Sequence, residues 1–140
     1  MKLTDNFSLD EFIRSETATR LNIDNIPDEK IISNLKNLCV NLLEPLRAKL
    51  NKPIIILSGY RCSELNKHVG GVSNSKHLYG QASDIKVEGM SNKDLVKLIQ
   101  KSFKFDQLIL EYMKPNDPFS GWVHVSWVGS NNRNQFITIS

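Results

Sequence analysis

The sequence predicts an α+β domain, with helices packed on one face of a mostly antiparallel sheet, in a single unit spanning residues 1–140. Three observations lead there. Apolar residues recur at helical spacing through the first fifty positions, short apolar runs bounded by Gly, Asn, Ser and Pro dominate the second half, and no internal repeat or linker divides the chain. The expected order is helix, helix, strand, short helix, strand, helix, then several strands. With 140 residues, of which 40% are hydrophobic and 24% charged, the chain is long enough to bury one core without disulfide or metal staples.

Ser8-Leu9-Asp10-Glu11 has the form of a capping box, with Phe7 and Phe12 placed as a hydrophobic staple, so a short helix begins there. A longer helix is expected from Pro27-Asp28-Glu29, with Pro27 at its first position. Ile31, Leu35, Leu38, Leu42, Leu46 and Leu50 then form one apolar stripe, which Pro45 should kink or split. The run Pro53 to Ser58, closed by Gly59, reads as a strand buried on both faces and hence as the centre of the sheet. Ser63 to Val69 forms a short helix stopped by Gly70-Gly71, and Val72 to Gly80 is a loop. Ala82 to Val87 is a strand. Ser91 and Asp94 open a helix running to Phe103, with Leu95, Leu98 and Ile99 inward. Strands follow at Gln107 to Tyr112 and Trp122 to Val128, and Phe136 to Ile139 adds an edge strand.

A net charge of +3 is spread among acids rather than gathered in a block, which argues against nucleic acid as a partner. Cys39 and Cys62 lack the paired spacing of a zinc ribbon or a redox motif and are expected as free thiols. Met1 to Phe12 contains three acids and no apolar run, so neither a signal peptide nor a membrane span is expected at that end. Synthesis in the cytoplasm and a monomeric state follow as expectations.

The chemistry concentrates in Ser75-Lys76-His77-Leu78-Tyr79-Gly80-Gln81-Ala82-Ser83-Asp84. An imidazole and a carboxylate, both good zinc ligands, stand seven residues apart. Seven residues span about 10 Å on a helix and about 23 Å on a strand, whereas two ligands of one ion, each about 2 Å from it, must nearly touch. The chain must therefore turn between them, and Gly80 reaches positive φ without strain. In Trp122-Val123-His124-Val125-Ser126, strand alternation puts His124 on a face with Trp122 and Ser126, away from Val123 and Val125. Two His and one carboxylate leave a fourth tetrahedral position open, as in catalytic rather than structural zinc sites.

His77-x6-Asp84 with His124, preceded by Ser58-Gly59-Tyr60-Arg61, resembles the D-alanyl-D-alanine carboxypeptidase family of zinc peptidases. That family includes phage endolysins and shares its fold with the hedgehog signalling domain. The resemblance runs from about Phe7 to Trp127 and is most specific in the Ser75 to Asp84 string. It implies one zinc ion on His77, Asp84 and His124, a substrate-binding and catalytic role for Arg61, and peptidoglycan stem peptide as the substrate. Ser75 is a further candidate for binding substrate, or for stabilising its own loop. An endolysin-like origin would place the action at the cell wall after phage-mediated release.

One position departs from the pattern: many relatives carry a catalytic acid three residues before the last zinc His, and here that residue is Gly121. The acid must then come from elsewhere. Glu111, at the end of the Leu108-Ile109-Leu110 strand, is preferred over Asp117 in the Pro115 to Pro118 loop, because a strand holds a group more firmly. The alternative is a zinc-stabilised wall-binding or phage structural module without catalysis.

Overall fold

The computed structural model describes residues 1–140. Strands β1 (Lys2–Thr4) and β2 (Phe7–Ser8) form a small hairpin that leads into helices α1 (Leu9–Ile13), α2 (Glu16–Arg20) and α3 (Glu29–Leu38). A π-helical turn, Cys39–Leu43, joins α3 to α4 (Glu44–Leu50). After β3 (Ile55–Ser58) and α5 (Ser63–His68) come a 3-10 turn at Lys76–Tyr79, β4 (Ala82–Lys86), α6 (Asn92–Ser102), β5 (Gln107–Glu111), β6 (Trp122–Ser126) and β7 (Gln135–Ile139).

Local chemistry accounts for the helix boundaries. The Phe7 and Phe12 rings meet at 6.1 Å between centroids, and the Ser8 N–H donates to the Glu11 carboxylate at 3.2 Å, which fixes the entry to α1. Asp28 caps α3 by accepting the Ile31 N–H at 2.9 Å. Pro27 therefore lies one residue before the cap, not at the first helical position as its residue type had suggested. Pro45 neither ends the helix nor bends it alone. It has no N–H to return to the preceding turn, and the wide turn at Cys39–Leu43 takes up the mismatch just before it. Of the stripe, Leu35, Leu38, Leu42 and Leu46 are fully buried, each contributing about 1.5–3 kcal/mol relative to an exposed side chain, while its ends Ile31 and Leu50 are half-buried and Leu43 joins the core beside it.

The larger sheet has the order β3-β4-β6-β5-β7. It is mixed: β3–β4, β4–β6 and β6–β5 pair antiparallel, while β7 runs parallel to β5. One face carries Ile56, Ile85, Leu108, Leu110, Val123 and Val125 into a core shared with α3, α4 and α6. The opposite face carries Asp84, His124, Ile109 and Glu111, which lie on adjacent strands in a register that pairs Asp84 with His124 and His124 with Ile109.

The expectation for Pro53 to Ser58 needs correction. β3 is an edge strand, β6 is the central one, and Ile55 and Leu57 are 43% and 48% exposed. Continuous apolarity arises here because Ile56 faces the core while Ile55, opposite Lys86, shares the face of Asp84. The strand is thus apolar on an open face. No helix is long and apolar enough to cross a membrane, and both cysteines are free, with Cys39 buried.

Candidate metal centre

Gly80 ends the 3-10 turn in the left-handed region at φ 69°, and the chain reverses there as the spacing of His77 and Asp84 requires. A Cβ at that point would lie 2.8 Å from the Ile31 carbonyl oxygen, so no larger residue fits the reversal without displacing α3. The Ser75 Oγ accepts the His77 N–H at 3.2 Å and caps the turn. His77 is thereby set over the sheet beside Asp84.

His77 Nε2 lies 3.2 Å from Asp84 Oδ1, and His124 Nδ1 lies 3.1 Å from the same oxygen. The two imidazoles stand edge to face at 5.0 Å between centroids. One donor atom from each residue falls within 4.8 Å of the other two, and all three residues are buried. His77 Nδ1 is 2.6 Å from the Gly59 carbonyl oxygen, an acceptor only, so a metal ion on Nε2 would leave the proton on Nδ1 donated to Gly59. Burial also pulls the His77 pKa below its usual value, against the opposing pull of Asp84. For Asp84 burial opposes ionisation, but His77 and His124 outweigh it and hold the carboxyl far below the usual range. Two neutral-capable nitrogens and an ionised oxygen, one of them oriented by a second hydrogen bond, fit a single metal ion, and this donor set suits zinc.

Two further sequence candidates lie within electrostatic reach of Asp84, Glu111 on the same face of the sheet and Arg61 in the segment after β3. Glu111 is half-buried and pairs with Trp122, one diagonal step from His124. Burial raises its pKa, with Asp84 adding to the rise, while His124, the Trp122 indole and Arg61 draw it down. Arg61 is itself drawn down by burial and held up by Asp84 and Glu111. Its Nη2 makes one long contact, 3.4 Å to Ser75 Oγ, and its Nε is buried without a partner. Ser75 thus touches both Arg61 and the backbone of His77. Asp117 does not join the group: it is exposed and accepts the Phe119 N–H within its own turn.

Gly121 has a structural reason to be glycine. Its φ is +72°, and a Cβ there would stand 2.0 Å from the Glu111 carbonyl oxygen. No acid can occupy that place while the β5–β6 hairpin keeps this path. The Gly59 carbonyl was missed from the sequence, since a backbone acceptor has no residue-type signature; the only available signal was that a ligating His needs a partner for its second nitrogen.

The peptidase M15 family model matches residues 5–126. The chain belongs to the peptidase M15 family. The match takes in His77, Asp84, His124, Glu111 and Arg61 and stops at the end of β6, so β7 lies outside it. The chain is also 49% identical over 35 residues to the zinc D-Ala-D-Ala carboxypeptidase of Streptomyces albus G. That stretch is 25% of this M15 chain and 14% of the Streptomyces protein's length.

Proposed function

We propose that the chain is a zinc-dependent peptidase that hydrolyses peptide bonds in peptidoglycan stem peptides, as a D,D-carboxypeptidase or an endopeptidase. The observation that carries this reading is the convergence of His77, Asp84 and His124 on one point beside a half-buried Glu111. Membership of the M15 family and the short likeness to a zinc D-Ala-D-Ala carboxypeptidase support it.

His77 Nε2, His124 Nδ1 and Asp84 Oδ1 would hold the ion. Zinc bound there supplies Lewis acidity, which polarises a carbonyl and makes a water easier to deprotonate. Glu111 takes the proton from the attacking water and returns it to the leaving amine, a double duty helped by burial, which raises its pKa above that of a free carboxyl. Arg61 grips a substrate carboxylate or the oxygen on which negative charge develops, because its guanidinium is underused within the protein. Ser75 flanks it and would complete the substrate-facing pair. An endolysin role belongs to the same reading, as does a soluble route to the wall through another protein's pore.

The test is mass spectrometry of purified muropeptides before and after digestion, with the zinc-loaded chain, the chelated chain and the chain reloaded with zinc. Loss of a D-alanine or scission of a cross-link should appear with zinc, disappear on chelation and return on reloading. Stoichiometric zinc with no mass change in any stem peptide would overturn the peptidase reading and favour a wall-binding module.

A further inference from the structure

The Arg61 side chain has little to hold it in place from its own end. The side chain makes one hydrogen bond, the 3.4 Å contact with Ser75, and its Nε has no partner. Arg61 is half-buried with its Nε enclosed, so packing restricts its side-chain torsions and the position of its head follows that of its backbone. Three bonds fix that backbone. The Arg61 N–H donates to the His77 carbonyl at 3.1 Å. The other two come from one buried side chain, Asn25, in the loop between α2 and α3.

Asn25 Nδ2 donates to the Tyr60 carbonyl at 2.9 Å, and its Oδ1 accepts the Cys62 N–H at 2.8 Å. A single planar amide therefore binds the residue before and the residue after Arg61. Its second Nδ2 hydrogen goes to the Ile13 carbonyl at 2.9 Å, at the end of α1. The orientation of the amide is fixed by these partners, since two carbonyls require the NH2 and one N–H requires the oxygen. The Tyr60 N–H donates to the Phe12 carbonyl at 2.7 Å, so the segment is tied to α1 at a second point. We infer that Asn25 is the positioning residue of Arg61, holding the guanidinium beside Ser75, at the turn that carries His77, through the backbone on both sides of Arg61. The inference rests on the reading of Arg61 as the substrate-gripping residue and adds the group through which its position is set.

The experiment is a double-mutant cycle on the zinc-loaded chain, with N25A, R61A and the double variant assayed on a purified stem pentapeptide ending in D-Ala-D-Ala. Zinc content and thermal midpoint are recorded for each. Misplacement of a catalytic group by about 1 Å costs on the order of 100-fold, so N25A should lower kcat/KM by about that factor, with the same division between kcat and KM as R61A. In the R61A background N25A should change kcat/KM by less than about twofold, whereas it should lower the midpoint equally in both backgrounds. Zinc should stay at one per chain. Equal losses of activity in the two backgrounds would overturn the inference, since Asn25 would then act on the fold as a whole. R61A with near wild-type activity would remove the Arg61 reading, and the inference with it. If N25A does not fold, N25S, which keeps a smaller hydrogen-bonding side chain, goes through the same cycle; failure of both to fold would also overturn the inference.

Discussion

Glu111 is destabilised as an anion in the place where the proposed chemistry needs one. Burial and Asp84 raise its pKa, so the folded chain binds the Glu111 proton more tightly than the unfolded chain, whose glutamates titrate near about 4.3. The stability tied to this group is present below that pH and is lost as pH rises through the folded value. In the metal-free chain E111Q should therefore resist urea better than wild type at pH 7 and lose that advantage at pH 4. Lower stability of E111Q at pH 7 would contradict the shift. At this scale the sequence was informative about groups whose chemistry is in the side chain: the donor atoms of His77, Asp84 and His124 converge within 4.8 Å, and Arg61 and Glu111 lie within electrostatic reach of Asp84. It was silent about the Gly59 carbonyl and about Asn25, because backbone partners become visible only once distant segments are brought together.

Hairpin geometry governs the element scale. Gly121 lets the return of the β5–β6 connection pass against the Glu111 carbonyl, and its positive φ is a conformation that L side chains adopt at a cost of about 1–2 kcal/mol. G121A adds a clash with backbone to that cost, so it should destabilise the chain by about 2 kcal/mol or more and lower kcat, with zinc still bound. Urea unfolding at wild-type midpoint would contradict this. The missing acid at Gly121 and the presence of Glu111 are thus two sides of one turn. The helices were legible because caps and stripes are local, as the Asp28 cap and the Leu35 to Leu46 stripe illustrate. The role of β3 was not, because apolar residues on an open face look the same in sequence as apolar residues facing a second layer.

For the molecule as a whole, the last strand decides the character of the sheet. The sequence marked an edge strand near Phe136 but held no signal for its direction, and β7 proves parallel to β5, the chain after β6 being bonded at the start of β5, where the Asn134 N–H donates to the Phe105 carbonyl. Asp106 anchors that passage: it takes Arg133 Nε at 2.9 Å, Nη2 at 2.8 Å and the Arg133 N–H at 3.2 Å, while its own carbonyl accepts the Gln135 N–H. The Arg133 hydrogen bonds hold the Asp106 pKa below the usual range. A depressed carboxylate stabilises above its unfolded pKa, about 3.9, and loses that contribution as pH falls through the folded value. Arg133 is half-exposed, so screening limits its worth, and R133A should cost about 1 kcal/mol at pH 7. The difference between R133A and wild type should shrink as the pH is taken below about 4; a difference independent of pH would contradict the assignment.

The direct test of the proposed chemistry is the turnover of muropeptide by zinc-loaded E111Q, measured beside wild type with zinc content determined on the same samples. Zinc should remain at one per chain, since Glu111 is not among the three donors, and kcat should fall by about 10²–10⁴-fold, the usual worth of a general base. Turnover within about twofold of wild type would contradict the role of Glu111.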